Sequence, residues 1–260
     1  MRSLSPSLFQ PPFAVARGRL RARPARQRQR GIALVIVIVL ALTSALLALW
    51  GFRSSVLNEA VVGNDADYLR AFEAAQALMQ DAEYDIRGQR PDGNPCDPVS
   101  SGGSPNLDVC RPHGATVWFI QEDKELGNLI ATLGGQATGC LKGICIKRTG
   151  VQDFWKEPDT LEAMLADNVG ARYGQFTGAN SGSASNPILA ERAEGRGGWY
   201  WVEVLPYDTS PGGGLVIGKS KLALNLKPSL AYRITALARG LKPGTQVVLQ
   251  STYVQRKLQD

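Results

Sequence analysis

The chain has 260 residues, enough for one large domain or two small ones, and a formal net charge of +6. That charge is unevenly placed. Residues 1–31 hold eight of the 29 basic residues and no acid, so the remainder carries 21 basic against 23 acidic residues, a net −2. Without a basic excess the body offers nothing to a polyanion, which excludes a nucleic-acid reading based on overall charge.

The basic leader (Arg2, Arg17, Arg19, Arg21, Arg23, Arg26, Arg28, Arg30) also contains Pro6, Pro11, Pro12 and Pro24 and is expected to be unstructured. It ends at Gly31. An uncharged, helix-competent run follows from Ile32 through Trp50 to Phe52, long enough to cross a bilayer, which needs roughly 20 apolar residues. Arginines beside an apolar span favour the cytoplasmic side, so the leader stays inside and the C-terminal body is exported. The run is longer than the apolar region of an ordinary secretory signal. A plain single-pass anchor explains the run but not the glycine at its inner edge. A leader of the prepilin type, cut on the cytoplasmic side with the helix left attached, explains both.

Helical spacing continues beyond Arg53. Val56, Ala60, Tyr68, Leu69, Phe72, Ala75, Leu78, Met79, Ala82 and Ile86 recur at steps of three and four and predict an apolar stripe, with Leu69, Phe72 and Met79 as a core face. Asp65, Asp67, Arg70, Glu73, Gln76, Gln80, Asp81 and Glu83 occupy the remaining positions. Gly88 and Pro91 supply the stop. A helix from Ile32 to about Arg87 would be on the order of 80 Å long at 1.5 Å per residue, with Gly63-Asn64 as the point where it could kink or break.

Residues 88–115 form a Pro-, Gly- and Ser-rich loop. The spacing predicts a short strand over 115–120, a helix over 122–133, and a second over 159–167 capped by Asp159 or Thr160. Residues 174–186 read as an exposed loop. Strands are predicted at 199–205, 230–238 and 246–254, the last two joined by a hairpin turn over Arg239–Gly244. Packed against the long helix, these make an α+β body with an antiparallel sheet.

All four cysteines, Cys96, Cys110, Cys140 and Cys145, lie in the exported part, where two disulfides are expected. Of the three connectivities, Cys96–Cys110 with Cys140–Cys145 is favoured because short loops close most readily. Zinc is the competing reading. The spacings lack a C-x-x-C pair and His113 is the sole histidine, so no metal and no cofactor are expected.

No catalytic constellation is visible. His113 has no evident nucleophile partner. Gly197-Gly198 and Gly212–Gly214 are not phosphate-binding patterns. Glu122 with Asp123, and Glu191 with Glu194, read as solvated faces. Trp199, Tyr200 and Trp201 could suggest sugar stacking, but strand alternation points instead to core residues plus one exposed aromatic.

Several separated segments resemble the type IV pilins, and within them the PilX-type minor pilins. They are Arg28–Leu34 (RQRGIAL), Val61–Asn64 (VVGN), Ala71–Ala75 (AFEAA), the Cys140-x4-Cys145 spacing, Tyr173–Ala179 (YGQFTGA), Tyr232–Ala236 (YRITA) and Val247–Tyr253 (VVLQSTY). The resemblance implies cleavage after Gly31, N-methylation of Ile32, and residence in the inner membrane until the subunit is drawn into a filament. The chain then divides into a removed leader (1–31), a transmembrane helical half (32–52), an amphipathic half (53–87) and a periplasmic body (88–260). Implied partners are other minor pilins, the major pilin, the prepilin peptidase, the assembly platform, membrane lipid and a tip complex that can carry an adhesin. Implied roles are initiation of pilus assembly, twitching motility and adhesion, without enzymatic activity. Two residues depart from the major-pilin pattern. Ile36 occupies the fifth mature position, where major pilins carry glutamate, and Ile32 replaces the usual phenylalanine. An apolar fifth position avoids the cost of burying an unpaired charge and favours a scarce, terminal subunit over a shaft subunit. A minor pseudopilin of type II secretion shares these features, and a membrane-tethered periplasmic binding protein or enzyme is the alternative of another class.

Overall fold

The computed structural model describes residues 30–96, 110–111, 115–179, 186–206 and 229–255. By contact the chain divides into two units, 1–56 and 57–260.

Helix α1 runs from Arg30 to Arg87. Its assignment continues through Gly63-Asn64, where the sequence allowed a break. It stops at Gly88, which takes the left-handed conformation (φ +61°). The Gly88 amide donates to the Asp85 carbonyl and the Gln89 amide to that of Tyr84. These two bonds satisfy carbonyls that a helix C-terminus otherwise orphans.

In the 57–260 unit a five-stranded sheet has the order β1 (Cys140–Leu141), β2 (Ile144–Ile146), β3 (Gly198–Pro206), β4 (Leu230–Arg239) and β5 (Gln246–Tyr253). Three of its four pairings are antiparallel and β2 runs parallel to β3, so the sheet is antiparallel-dominated rather than wholly antiparallel. The expected strands at 199–205, 230–238 and 246–254 correspond to β3, β4 and β5. The β1–β2 hairpin escaped notice because its strands are so short. Its two-residue turn, Lys142-Gly143, has positive φ at both positions, the conformation that matches the twist of a tight hairpin. Cys140 and Cys145 face each other directly across it.

Both sheet faces are covered. On one, Tyr200, Val202, Val204, Tyr232, Ile234 and Ala236 join Ala71, Ala74, Ala75, Leu78, Ala82 and Ile86 of α1 in a single core. The buried stripe of α1 is therefore mostly alanine. Leu69 and Tyr68, expected inside, are exposed, and Phe72 and Met79 only flank the core. Small side chains let the helix lie close to the sheet: a Cβ placed on Gly198 would stand 2.5 Å from Leu78 Cδ1. The opposite face packs Trp199, Trp201 and Leu237 against the Cys140–Cys145 bridge, Phe154, and Leu161 and Met164 of α3 (Pro158–Leu165). The Trp201 indole meets Phe154 edge-on at 5.0 Å and donates to the Met164 carbonyl. All three aromatics of 199–201 are buried. The expected exposed aromatic is absent because the layer contributed by residues 154–164 covers the second face.

Other expectations are corrected. Residues 115–120 form bends and irregular chain rather than a strand. Val117, Phe119 and Ile120 plug into the core, with Phe119 edge-on to Tyr232 at 5.6 Å. Their bulk signals burial, not strand pairing. The helix expected over 122–133 is a 3₁₀ turn (Asp123–Glu125) leading into α2 (Leu126–Gly134). Helix α3 starts at Pro158 with Glu157 at the N-cap position and no side-chain cap bond, so neither Asp159 nor Thr160 caps it. Within the expected exposed loop Phe176 and Thr177 are buried. A short helix, α4 (Pro187–Ala190), follows it.

Leu78 is fully buried, whereas Leu69 is more than half exposed. Leu78→Ala should lower the unfolding free energy by about 2–5 kcal/mol, and Leu69→Ala should stay within about 0.5 kcal/mol of wild type, both read from urea denaturation midpoints.

Candidate functional site

Two regions hold chemistry that the fold alone does not require. The first is the apolar start of α1. Every large apolar side chain from Ile32 to Phe52 is exposed, from 48% at Ile38 to 77% at Trp50. The helix is long and apolar enough to cross a membrane, with a mean hydropathy of 3.0 over its most apolar window. So much unpartnered apolar surface needs lipid or other helices as its solvent. Gly31, Ile32 and Ile36 all lie on this helix, with Ile32 and Ile36 exposed. A Cβ on Gly31 would meet nothing within 4 Å, and glycine costs a helix about 1 kcal/mol relative to alanine. Folding gives no reason for a glycine there.

The second region is a row of buried aspartates on α1, all within the 57–260 unit. Asp67, Asp81 and Asp85 are each at most 4% exposed. Steps of 14 and four residues place them along the same helical face as the alanine stripe. Asp67 accepts from the backbone amides of Leu241 (2.9 Å) and Lys242 (3.1 Å) in the β4–β5 turn. The approach is close: a Cβ on Gly240 would fall 2.2 Å from Asp67 Oδ2. Asp81 accepts from the Gly174 amide at 2.7 Å and from the Thr177 hydroxyl. Asp85 takes both oxygens to Arg111 Nε (2.9 and 3.1 Å) and accepts from the Tyr200 hydroxyl at 2.8 Å. Arg111 also donates to the Lys142 carbonyl and stacks 3.4 Å from the Phe176 ring centroid. Each aspartate thus fastens the helix to a different part of the body.

The protonation of the three differs with their surroundings. For Asp67 the upward push of burial is outweighed by hydrogen bonds from Thr245, Lys242 and Leu241, and its carboxyl is held below the usual range. Burial pushes Asp81 up to about 7, with the negative charge of Asp85 adding to it and Thr177, Gly174 and Arg111 opposing. Burial also raises Asp85, opposed by Arg111 and Tyr200.

Sequence reasoning assigned Asp67 and Asp81 to the polar side of the helix, took Tyr200 only as a strand aromatic, and gave no role to Asp85, Arg111 or Thr177. The available signal was the alignment of 67, 81 and 85 with Ala71, Ala74, Leu78 and Ala82. The cysteines are joined as Cys96–Cys110 and Cys140–Cys145, the pairing that closes the shortest loops. The first bridge sets Arg111 next to its staple. Glu122 pairs with Lys124 at the surface, Asp123 accepts from the Ser229 amide, and Glu191 accepts from the amides of Arg192 and Ala193. His113 and Gly212–Gly214 lie outside the described residues. Among the described residues no group of three or more His, Cys, Asp or Glu side chains is arranged to hold a metal.

Compared with known families, residues 129–255 match the model of the type IV pilus assembly protein PilX, C-terminal region. This segment resembles the PilX C-terminal region. No significant match was found among curated proteins or among solved structures. The matched segment holds most of α2, then α3, α4 and the whole sheet, and with them Gly174, Thr177, Tyr200, Leu241 and Lys242, which receive the aspartates. The aspartates themselves and Arg111 precede it. The matched family is named for type IV pilus assembly, and an apolar N-terminal helix ahead of the matched segment is consistent with membrane anchoring.

Asp81 holds its proton up to about pH 7 in the native state against about 3.8 when unfolded. Between those values the native state binds more protons, so this group makes stability fall as pH rises from about 4 to 7 and level off above. Asp81→Asn can donate to Thr177 and accept from Gly174. It should flatten that slope and unfold at higher urea than wild type at pH 8, as measured by chemical denaturation across the interval. Asp85→Ala leaves the Arg111 guanidinium buried without its counter-ion and should cost about 3–5 kcal/mol in the same assay.

Proposed function

We propose that the protein is a minor pilin of the type IV pilus, a non-catalytic subunit that helps to initiate assembly and forms part of the tip complex. The observation that carries this reading is an apolar helix with all its large side chains exposed, preceding a PilX C-terminal domain in one chain. In the proposed course the prepilin peptidase removes residues 1–31 and Ile32 becomes the methylated N-terminus. The helix over 32–52 then holds the subunit in the inner membrane as a single pass, with the body in the periplasm. On assembly the same apolar surface trades lipid for the helices of neighbouring subunits. The trade is inexpensive because both surroundings are apolar.

Ile36 supports a terminal position. A glutamate at that depth needs a positive partner on the adjacent subunit. Isoleucine neither needs nor offers one, so it suits a subunit that stands at an end. The buried aspartates support the body's part in the mechanism, since a subunit pulled by its helix must carry its body along. Their hydrogen bonds distribute that load over the β4–β5 turn, the 174–177 loop and the Arg111 node.

The test is the processed N-terminus. Mass spectrometry of the membrane-extracted protein should find Ile32 first, and leader-bearing protein should accumulate in cells lacking the peptidase or carrying Gly31→Ala. Because Gly31 has open space around it, that substitution leaves the fold intact. A deletion strain should lose surface pili and twitching motility. Intact piliation with a secretion defect would identify a type II secretion pseudopilin instead, and function undisturbed by Gly31→Ala would leave only a tethered periplasmic protein.

A further inference from the structure

A cleft of about 480 Å³ opens on the body between the 165–175 segment and the loop after α4. Arg172 and Arg192 both line it, with Asp167, Asn168, Gln175 and Trp199. Each arginine is held by backbone carbonyls. Arg172 Nη1 donates to Arg196 (2.7 Å), and its guanidinium lies 3.9 Å from the Trp199 ring centroid. Arg192 donates from Nη1 to Leu189 (2.9 Å) and from Nη2 to Tyr173 (3.1 Å). Among the described residues neither has a carboxylate within ion-pair distance, although Arg196, beside them, pairs with Glu191. Two cations are therefore fixed at one cleft without a direct ion pair among the described residues, although Asp167 and Glu191 lie near enough to favour the Arg172 charge. Burial, followed by the charge of Arg192, pulls Arg172 down to about 10, with Asp167 and Glu191 opposing.

We propose that this cleft is a carboxylate-binding site, filled in the assembled filament by an acidic side chain of a neighbouring subunit. The second half of this statement rests on the pilus reading; the first does not. A planar guanidinium fork matches a carboxylate, and among the described residues Nε and Nη2 of Arg172 and Nε of Arg192 have no acceptor. Asp167 on the wall disfavours a dianion such as phosphate and leaves room for a single negative charge. An acidic sugar fits less well. The indole it would stack on is buried and already covered by Arg172, and the cleft is open and polar, whereas small-molecule sites are mostly apolar and enclosing. A side chain projecting from a protein surface needs only an open cleft, and its charge complementarity would set the register of one subunit on the next. The body is acidic overall beyond residue 31, so a fixed positive pair is a local exception that an acidic neighbour can recognise.

The test uses the full chain in detergent micelles with ¹⁵N-labelled arginine, titrated with N-acetyl-glutamate methylamide, its glutamine counterpart and glucuronate. The Nε–H signals of Arg172 and Arg192 should move together and saturate with a Kd of about 1 mM, or about −4 kcal/mol, with the glutamate compound alone. Arg192→Gln should weaken binding at least tenfold, and Arg192→Lys, which keeps the charge without the fork, should give an intermediate loss. Absence of saturation, or equal shifts with the glutamine compound, would overturn the site. Tighter binding of glucuronate would overturn the assignment to a protein acid. Neither readout depends on leader removal or piliation, so failure of the cleft and failure of the pilus reading are distinguishable.

Discussion

The structure depends on carboxylates placed where carboxylates are costly. An aspartate on the buried face of a helix loses its water, and the loss is tolerable only if the body returns hydrogen bonds to it. Here the body does so at three levels of α1: two turn amides at Asp67, an amide and a hydroxyl at Asp81, and a guanidinium and a phenol at Asp85. An alanine stripe alone would let a helix slide or rotate over the sheet, because small apolar contacts are nearly equivalent from one turn to the next. Directional bonds to specific loops remove that freedom. The alanines allow the close approach and the aspartates choose the register.

The Arg111 node links that register to the disulfide framework. Arg111 follows Cys110 directly, and its guanidinium joins Asp85 of the helix, the Lys142 carbonyl of the β1–β2 turn and the Phe176 ring. The Cys140–Cys145 bridge crosses the same hairpin. Helix, first sheet edge and the 174–177 loop therefore meet at one cation. Burial raises the carboxyls of both Asp81 and Asp85, and with Asp81 one helical turn from Asp85 the charge of Asp85 adds to the rise at Asp81 while Arg111 opposes it at both.

The two ends of α1 solve different problems with the same backbone. From Ile32 to Phe52 the sequence is apolar all round, and its large side chains are exposed among the described residues. From Asp67 onward the helix narrows to a stripe that a sheet covers. A helix apolar all round and another with a single stripe call for different solvents, and here the change falls within one element. The PilX match begins only at residue 129, after the helix, its aspartates and Arg111, so most of the groups that receive the aspartates lie in the matched segment and the aspartates themselves do not.

Much of this was legible in the sequence because it rests on local rules. A run of apolar residues after an arginine-rich leader, a glycine stop, three β-rich segments and a Lys-Pro-Gly turn are each decided within a few residues, and the cysteine pairing follows from loop length. Tertiary structure decided the rest. Which of Leu69 and Ala71 faces inward depends on where the sheet lies, not on helical period alone. Whether 115–120 pairs as a strand or plugs the core depends on a free sheet edge that local sequence does not reveal. Asp67, Asp81 and Asp85 look like solvent-facing charges until the amides, hydroxyls and guanidinium that satisfy them arrive from residues 26 to 175 positions away. Sequence alone determined that there would be a long apolar helix and a body for it to carry; only the fold decided how the two are fastened, because the partners of a buried charge are set by three-dimensional proximity.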